Sequence, residues 1–228
     1  MTLTRRDFTA AGAAFALVGG AFGGAAAPTS RAFASGDAGD AQTLDFKVLR
    51  DGSEIGSHRL QISREGERTL VDIDINLEVG FGPLVLYRYA HRNREVWEDG
   101  QFIRFDSQTD DDGESYAVTA ERRNRDIVVD RKPAEDYRID RPDVLPTSYW
   151  NEATVRQQVL LDTQKGRKME VEVEDLGWDE IEASGRTIRA RKYEMRGDLR
   201  LTLWYDESGR WVKLVFPFKG STIEYVMK

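Results

Sequence analysis

"VDIDINLEVGF", from Val71 to Phe81, sets Val71, Ile73, Ile75, Leu77, Val79 and Phe81 at every second position, with Asp72, Asp74, Asn76 and Glu78 between them. Successive side chains of an extended strand point to opposite faces, so one face of this stretch is apolar and the other acidic. That pattern predicts an antiparallel strand with one face on a core and the other in water.

Turn signals bound the stretch on both sides. Asp51–Gly52 and Glu65–Gly66 punctuate the sequence before it, and "GFGPL" breaks it afterwards. The next run, "VLYRYAHRNREVWEDG" (Val85–Gly100), alternates again, but Tyr87, Tyr89, His91, Asn93, Glu95 and Trp97 now share a face. The opposite face carries Arg88, Ala90, Arg92 and Arg94, which suits solvent, so the aromatic and polar set is expected to point inward. Further strands are expected over Phe102–Thr109, Ser115–Arg122, Ile127–Asp130, Met169–Asp175, Thr187–Arg196, Leu199–Tyr205, Trp211–Phe218 and Thr222–Met227.

One segment breaks the rhythm. In "LPTSYWNEATVRQQVLLDTQKG" (Leu145–Gly166), Thr147 or Ser148 reads as an N-cap, and Tyr149, Trp150, Ala153, Val155, Leu160 and Leu161 fall at helical spacing. This predicts a helix near Tyr149–Leu161. A flat sheet of about ten strands would expose an apolar face, so the expected fold is all-β. It is a large, strongly curved antiparallel sheet, a half-barrel or barrel-like form, wrapped around one helix anchored through Trp150. A closed barrel is the alternative.

The 228-residue chain opens with Arg5–Arg6, an uncharged run from Ala10 to Ala27, and "AFA" ending at Ala34. This order reads as a twin-arginine export peptide over residues 1–34, cleaved near Ala34. Nine of the 18 residues of the uncharged run are Ala and five are Gly, too weakly apolar for a stable membrane anchor. Residues 35–43 read as a flexible tether and 44–228 as a single domain. The expected location is periplasmic or secreted, with the twin-arginine machinery as the export partner.

Three arginines against one aspartate in the peptide take the net charge from −7 to about −9 once it is removed. An acidic chain with scattered basic residues is a poor match for nucleic acid. The absence of Cys excludes disulfides and thiol catalysis. Neither a G-x-S-x-G elbow nor an H-E-x-x-H pair occurs, and His58 and His91 are the only histidines. "DDDGE" (Asp110–Glu114) fails calcium-loop spacing, because the twelfth position is Thr119, and reads as a hairpin turn. No cofactor motif is present.

Taken together, "DGSEIGSHRL" (51–60), "YRYAHRNREVWEDG" (87–100), "TSYWN" (147–151), "GDLRLTLWYDESGRWVKL" (197–214) and "GSTIEYV" (220–226) resemble the DUF6134 family of exported bacterial proteins, to which no activity is assigned. The pattern is also distantly similar to curved-sheet periplasmic carriers of lipids and lipoproteins. That fold-level likeness implies a non-enzymatic binder of an apolar or amphipathic small molecule, or a lipid, in an internal groove. Tyr87, Tyr89, His91, Glu95 and Trp97 are the candidate ligand wall, and no residue is assigned as catalytic. The alternatives are a small hydrolase or isomerase using His91 with a carboxylate, and an envelope scaffold.

Overall fold

The computed structural model describes residues 41–81 and 84–228. The expected export peptide and residues 35–40 of the expected tether lie outside them. Among the described residues the chain forms one fifteen-stranded sheet. The first half comprises β1 (Gln42–Arg50), β2 (Ser53–Glu65), β3 (Arg68–Phe81), β4 (Leu84–Glu98), β5 (Gln101–Asp111), β6 (Glu114–Arg123), β7 (Asp126–Lys132) and β8 (Tyr137–Ile139). The second half comprises β9 (Leu145–Pro146), β10 (Val159–Leu161), β11 (Lys168–Ala183), β12 (Arg186–Gly197), β13 (Leu201–Asp206), β14 (Trp211–Phe218) and β15 (Ser221–Met227). The first strand starts two residues before Leu44, inside the stretch read as tether.

Across the sheet the order is β8 to β1 in descending sequence, then β15 down to β9, so β8 and β9 are free edges and the sheet is not closed. Neighbours pair antiparallel except β9 and β10, which run parallel. The alternation in β3 works as its pattern requires. Val71, Ile73, Ile75 and Leu77 are buried, whereas Asp72 and Asp74 meet Arg94 and Arg92 of β4 on the outer face. At the β5–β6 turn, Asp112 and Gly113 both take positive φ, the conformation a two-residue hairpin needs.

Curvature follows from two adjacent residues. The Tyr149 main-chain oxygen accepts from Tyr205 of β13 at 2.7 Å, and the Trp150 indole donates to Glu95 of β4 at 3.0 Å. Those strands are six places apart in the sheet order. On a flat sheet they would be separated by roughly 29 Å at about 4.8 Å per strand, yet Tyr149 and Trp150 are successive residues. The sheet therefore curls, and the segment 145–166 fills its concave side.

That segment is not the expected helix. Its one helical piece is a 3₁₀ turn, Glu152–Arg156, in which Asn151 serves as N-cap by accepting from the Ala153 amide. Val159–Leu161 is instead a strand, with all three side chains buried between β9 and β11. Tyr149 holds φ +60°, which no α-helix tolerates. The helical spacing arose because the segment buries side chains on opposite sides as it crosses the concavity.

Candidate functional site

β4 delivers its whole odd-numbered face to the interior. Tyr87, Tyr89, His91, Asn93, Glu95 and Trp97 are all buried, while Arg88, Arg92 and Arg94 on the other face reach Glu78, Asp74 and Asp72. The inward groups do not converge on one point. They meet segment 145–166 at three successive places along the strand.

At one end, buried Asp111 accepts from the Tyr87 hydroxyl (2.7 Å) and from the Lys165 ammonium (3.0 Å). In the middle, Ser107 and Thr109 of β5 donate to the main-chain oxygens of Thr163 and Gln164. Because the Thr109 hydroxyl already donates to Gln164, it accepts from Nδ1–H of His91 (2.9 Å). This fixes the proton on Nδ1 and leaves Nε2 facing the Thr163 hydroxyl at 3.4 Å. Burial holds the His91 imidazole neutral, with its pKa lowered to about 3. At the far end, Glu95 accepts from Asn93, Trp97 and Trp150 at 2.9, 2.8 and 3.0 Å. Burial raises the Glu95 pKa, while the donors Trp150, Trp97, Ser148 and Asn93 pull against that shift.

His58 lies two strands from His91, with Ile75 of β3 between them in register. It is buried among the rings of Phe46, Trp211 and Tyr225, and among the described residues neither of its nitrogens has a hydrogen-bond partner. Desolvation, then the nearby His91, lowers its pKa to about 3. His58, His91, Tyr149, Thr163 and Tyr225 share an enclosed cavity of about 30 Å³ with apolar neighbours such as Ile73, Leu214 and Phe216. Among the described residues, no group of three or more His, Asp or Glu is arranged to hold a metal ion.

These hydrogen bonds run within the sheet and between the sheet and segment 145–166. Among the described residues the hydrogen bonds of neutral His91 go to Thr109 and Thr163. Glu95, four residues along the strand, is roughly 13 Å away at about 3.3 Å per residue and is already surrounded by donors. The alternation located these residues correctly on the inner face. It could not show that His91, Glu95 and Trp97 meet segment 145–166, or that Tyr87 reaches it through Asp111.

A larger opening lies at the end of the half-barrel beyond Glu95. Leu44, Ile62 and Trp150 contribute apolar surface, and Arg64, Glu67, Glu152, Arg156 and Arg210 stand around them, in a depression of about 830 Å³. Trp150 joins this mouth to the β4 row, since its ring also packs edge-on against Trp97 at 5.1 Å. Arg64 was legible only through the period of β2, where it follows Leu60 and Ile62 on the inward face. Another depression, about 860 Å³, lies over the outer face across β2–β7 and is lined by Arg59, Asp72, Asp74, Arg92, Arg94 and Asp106, several of them in cross-strand ion pairs.

Comparison with solved structures finds a β-barrel-like protein of the DUF1849 domain of unknown function from Brucella abortus. The two superpose with a TM-score of 0.58 at 10% identity, covering 82% of this chain and 95% of the other. The likeness is one of fold. No curated protein matches the sequence. A family model matches residues 46–228, so nearly the whole described sheet, the β4 row and segment 145–166 together, belongs to the domain of unknown function DUF6134.

Proposed function

We propose that this chain is an exported, non-catalytic binding protein that takes an amphipathic small molecule at the mouth of the half-barrel, beside Trp150. The observation that carries this reading is the mouth itself, a depression of about 830 Å³ in which Trp150, Leu44 and Ile62 lie among charged side chains. Its volume falls within the range of about 300–1,000 Å³ usual for small-molecule sites. The enclosed space deeper inside is only about 30 Å³. That is close to one water molecule's share of liquid volume, so the mouth supports a ligand better than that space does. The reading therefore places the ligand at the mouth, beside Trp150, with Tyr87 (through Asp111) and His91 serving to hold segment 145–166.

Export is supported by Arg5–Arg6 and the Ala/Gly-rich run behind them. The experiment is native mass spectrometry of protein recovered from the periplasm of its own host. A retained small molecule that dissociates on denaturation is expected. Protein that carries only its own mass, with no extractable small molecule, would overturn the binding reading. Delivery to the periplasm by a variant with both arginines changed to Lys would overturn the twin-arginine route.

A further inference from the structure

We infer that the mouth selects a ligand with an anionic head, a carboxylate or phosphate monoester on an apolar body; this rests on the binding function proposed above. The inference starts from the period of β2. Leu60 and Ile62 are buried on the inward face, and the next inward position is Arg64. A strand that turns apolar residues to the core thus ends that face in a cation at the opening.

Arg156 comes from a different element, as the last residue of the 3₁₀ turn in segment 145–166. Both line the mouth, and among the described residues neither has an ion-pair partner. The outer face behaves differently, with Arg88, Arg92, Arg94 and Arg104 each set against an acid. The mouth's other charges are mostly committed. Arg210 is held by Asp206 at 3.0 Å, and Glu152 accepts from the Tyr193 hydroxyl at 3.2 Å. Of the two acids at the rim, Glu67 on the β2–β3 turn and Glu152, neither forms an ion pair among the described residues, and Glu152 is engaged by the Tyr193 hydroxyl.

Two guanidinium groups that line one depression can each offer a planar fork of donors to an oxyanion there. Leu44, Ile62 and Trp150 line the same depression, with Trp150 the more exposed of the three, and supply its apolar contacts. A neutral amphiphile would use those contacts and leave the two guanidinium groups to water.

The test is calorimetric titration of host-purified protein, stripped of bound small molecules, with dodecyl phosphate, dodecyl maltoside and inorganic phosphate. The same titrations are run on the Arg64→Gln/Arg156→Gln variant, with thermal melting to check its fold. Saturable binding of dodecyl phosphate is expected, weakened by tenfold or more in the variant and by added salt. Inorganic phosphate alone should bind far more weakly, since it lacks the apolar body. Equal binding of dodecyl maltoside, unaffected in the variant, would overturn the anionic head while leaving a ligand at the mouth. Inorganic phosphate binding as tightly as dodecyl phosphate would overturn the amphiphile and identify a free-anion site. Binding of neither amphiphile would overturn both this inference and the function on which it rests.

Discussion

Trp150 and Glu95, 55 residues apart in the chain, meet through an indole-to-carboxylate hydrogen bond of 3.0 Å, and Trp97 donates to the same carboxylate oxygen at 2.8 Å. A fully buried carboxylate thus sits between two tryptophans, one from the sheet wall and one from the segment that fills it. The bond ties the mouth to the interior. It also makes Glu95 a reporter of how well segment 145–166 is seated.

Replacing Trp150 by Phe keeps most of the ring and removes one donor. Loss of a hydrogen bond to a charged acceptor should cost about 1.5–3 kcal/mol. The pH dependence has a defined sign. Burial raises the Glu95 pKa above its unfolded value, so the stability it contributes is fully present below the unfolded carboxyl pKa. That contribution is lost as pH rises through the folded value. Removing the Trp150 donor pushes the folded value higher still, so the Trp150→Phe deficit should grow as pH rises from the glutamate range toward neutrality. Urea midpoints at a series of pH values would show this, and a deficit that stays constant with pH would count against it.

The two histidines should respond in opposite ways to removal. Among the described residues His58 has no hydrogen-bond partner at either nitrogen, so His58→Leu should leave stability at pH 7 unchanged or raise it by about 1 kcal/mol. His91→Leu strips a partner from Thr109 and Thr163 and should cost about 1–3 kcal/mol. Both imidazoles have folded pKa values lowered to about 3, below the unfolded value of about 6.5. Their contribution is therefore present above the unfolded value and lost as pH falls from there toward 3. Each substitution should flatten the acid limb of the stability profile, as followed by chemical denaturation between neutral and acid pH.

Asp111 receives both the Tyr87 hydroxyl and the Lys165 ammonium, and it is fully buried. Asp111→Ala leaves a hydroxyl and a mostly covered cation without their acceptor, a loss on the order of 3 kcal/mol. Asp111→Asn keeps one acceptor oxygen for Tyr87 and should lose less. Equal losses for the two variants, measured by urea unfolding, would mean that the carboxylate charge contributes little there.

Gly56 lies opposite the β-bulge at Val48/Leu49, with φ +150°, and a Cβ placed there would come within 2.0 Å of the Asn76 main-chain oxygen. Gly56→Ala must push β2 away from β3, which should cost at least about 2 kcal/mol. A thermal midpoint within a degree or two of the parent protein would contradict this close approach of strands.

The fold could be read because its strands obey period two almost without exception. Val71–Phe81 and Tyr87–Trp97 reveal their inner faces, and Arg88, Arg92 and Arg94 reveal an outer one. Segment 145–166 could not be read the same way, because it is enclosed on several sides. Tyr149, Val155 and Leu160 are buried for different reasons, and their spacing only imitates a helical stripe. The long reach of β11 to Ala183 was also hidden, since Asp175–Gly177 forms a bulge that resets the alternation. At the candidate site, the inward set on β4 was visible, but the mouth combines β1, β2, segment 145–166 and the β13–β14 turn. No local pattern joins Arg64 to Arg156.

The sheet order has a kinetic consequence. Between β1 and β8 every neighbour is the next strand in sequence, and the same holds from β11 to β15, so each half can zip up through hairpins alone. The halves join where β1 meets β15, with contacts such as Arg50 to Ser221 and Thr222 to Asp51 that span 171 residues. Closing so long a loop is entropically costly and rewards the chain only once the last strand has been made. Until that seam forms, β1 keeps an unpaired edge flanked by Phe46 and Val48. During synthesis, the first strand is then the most exposed to pairing with another chain, and its protection arrives last.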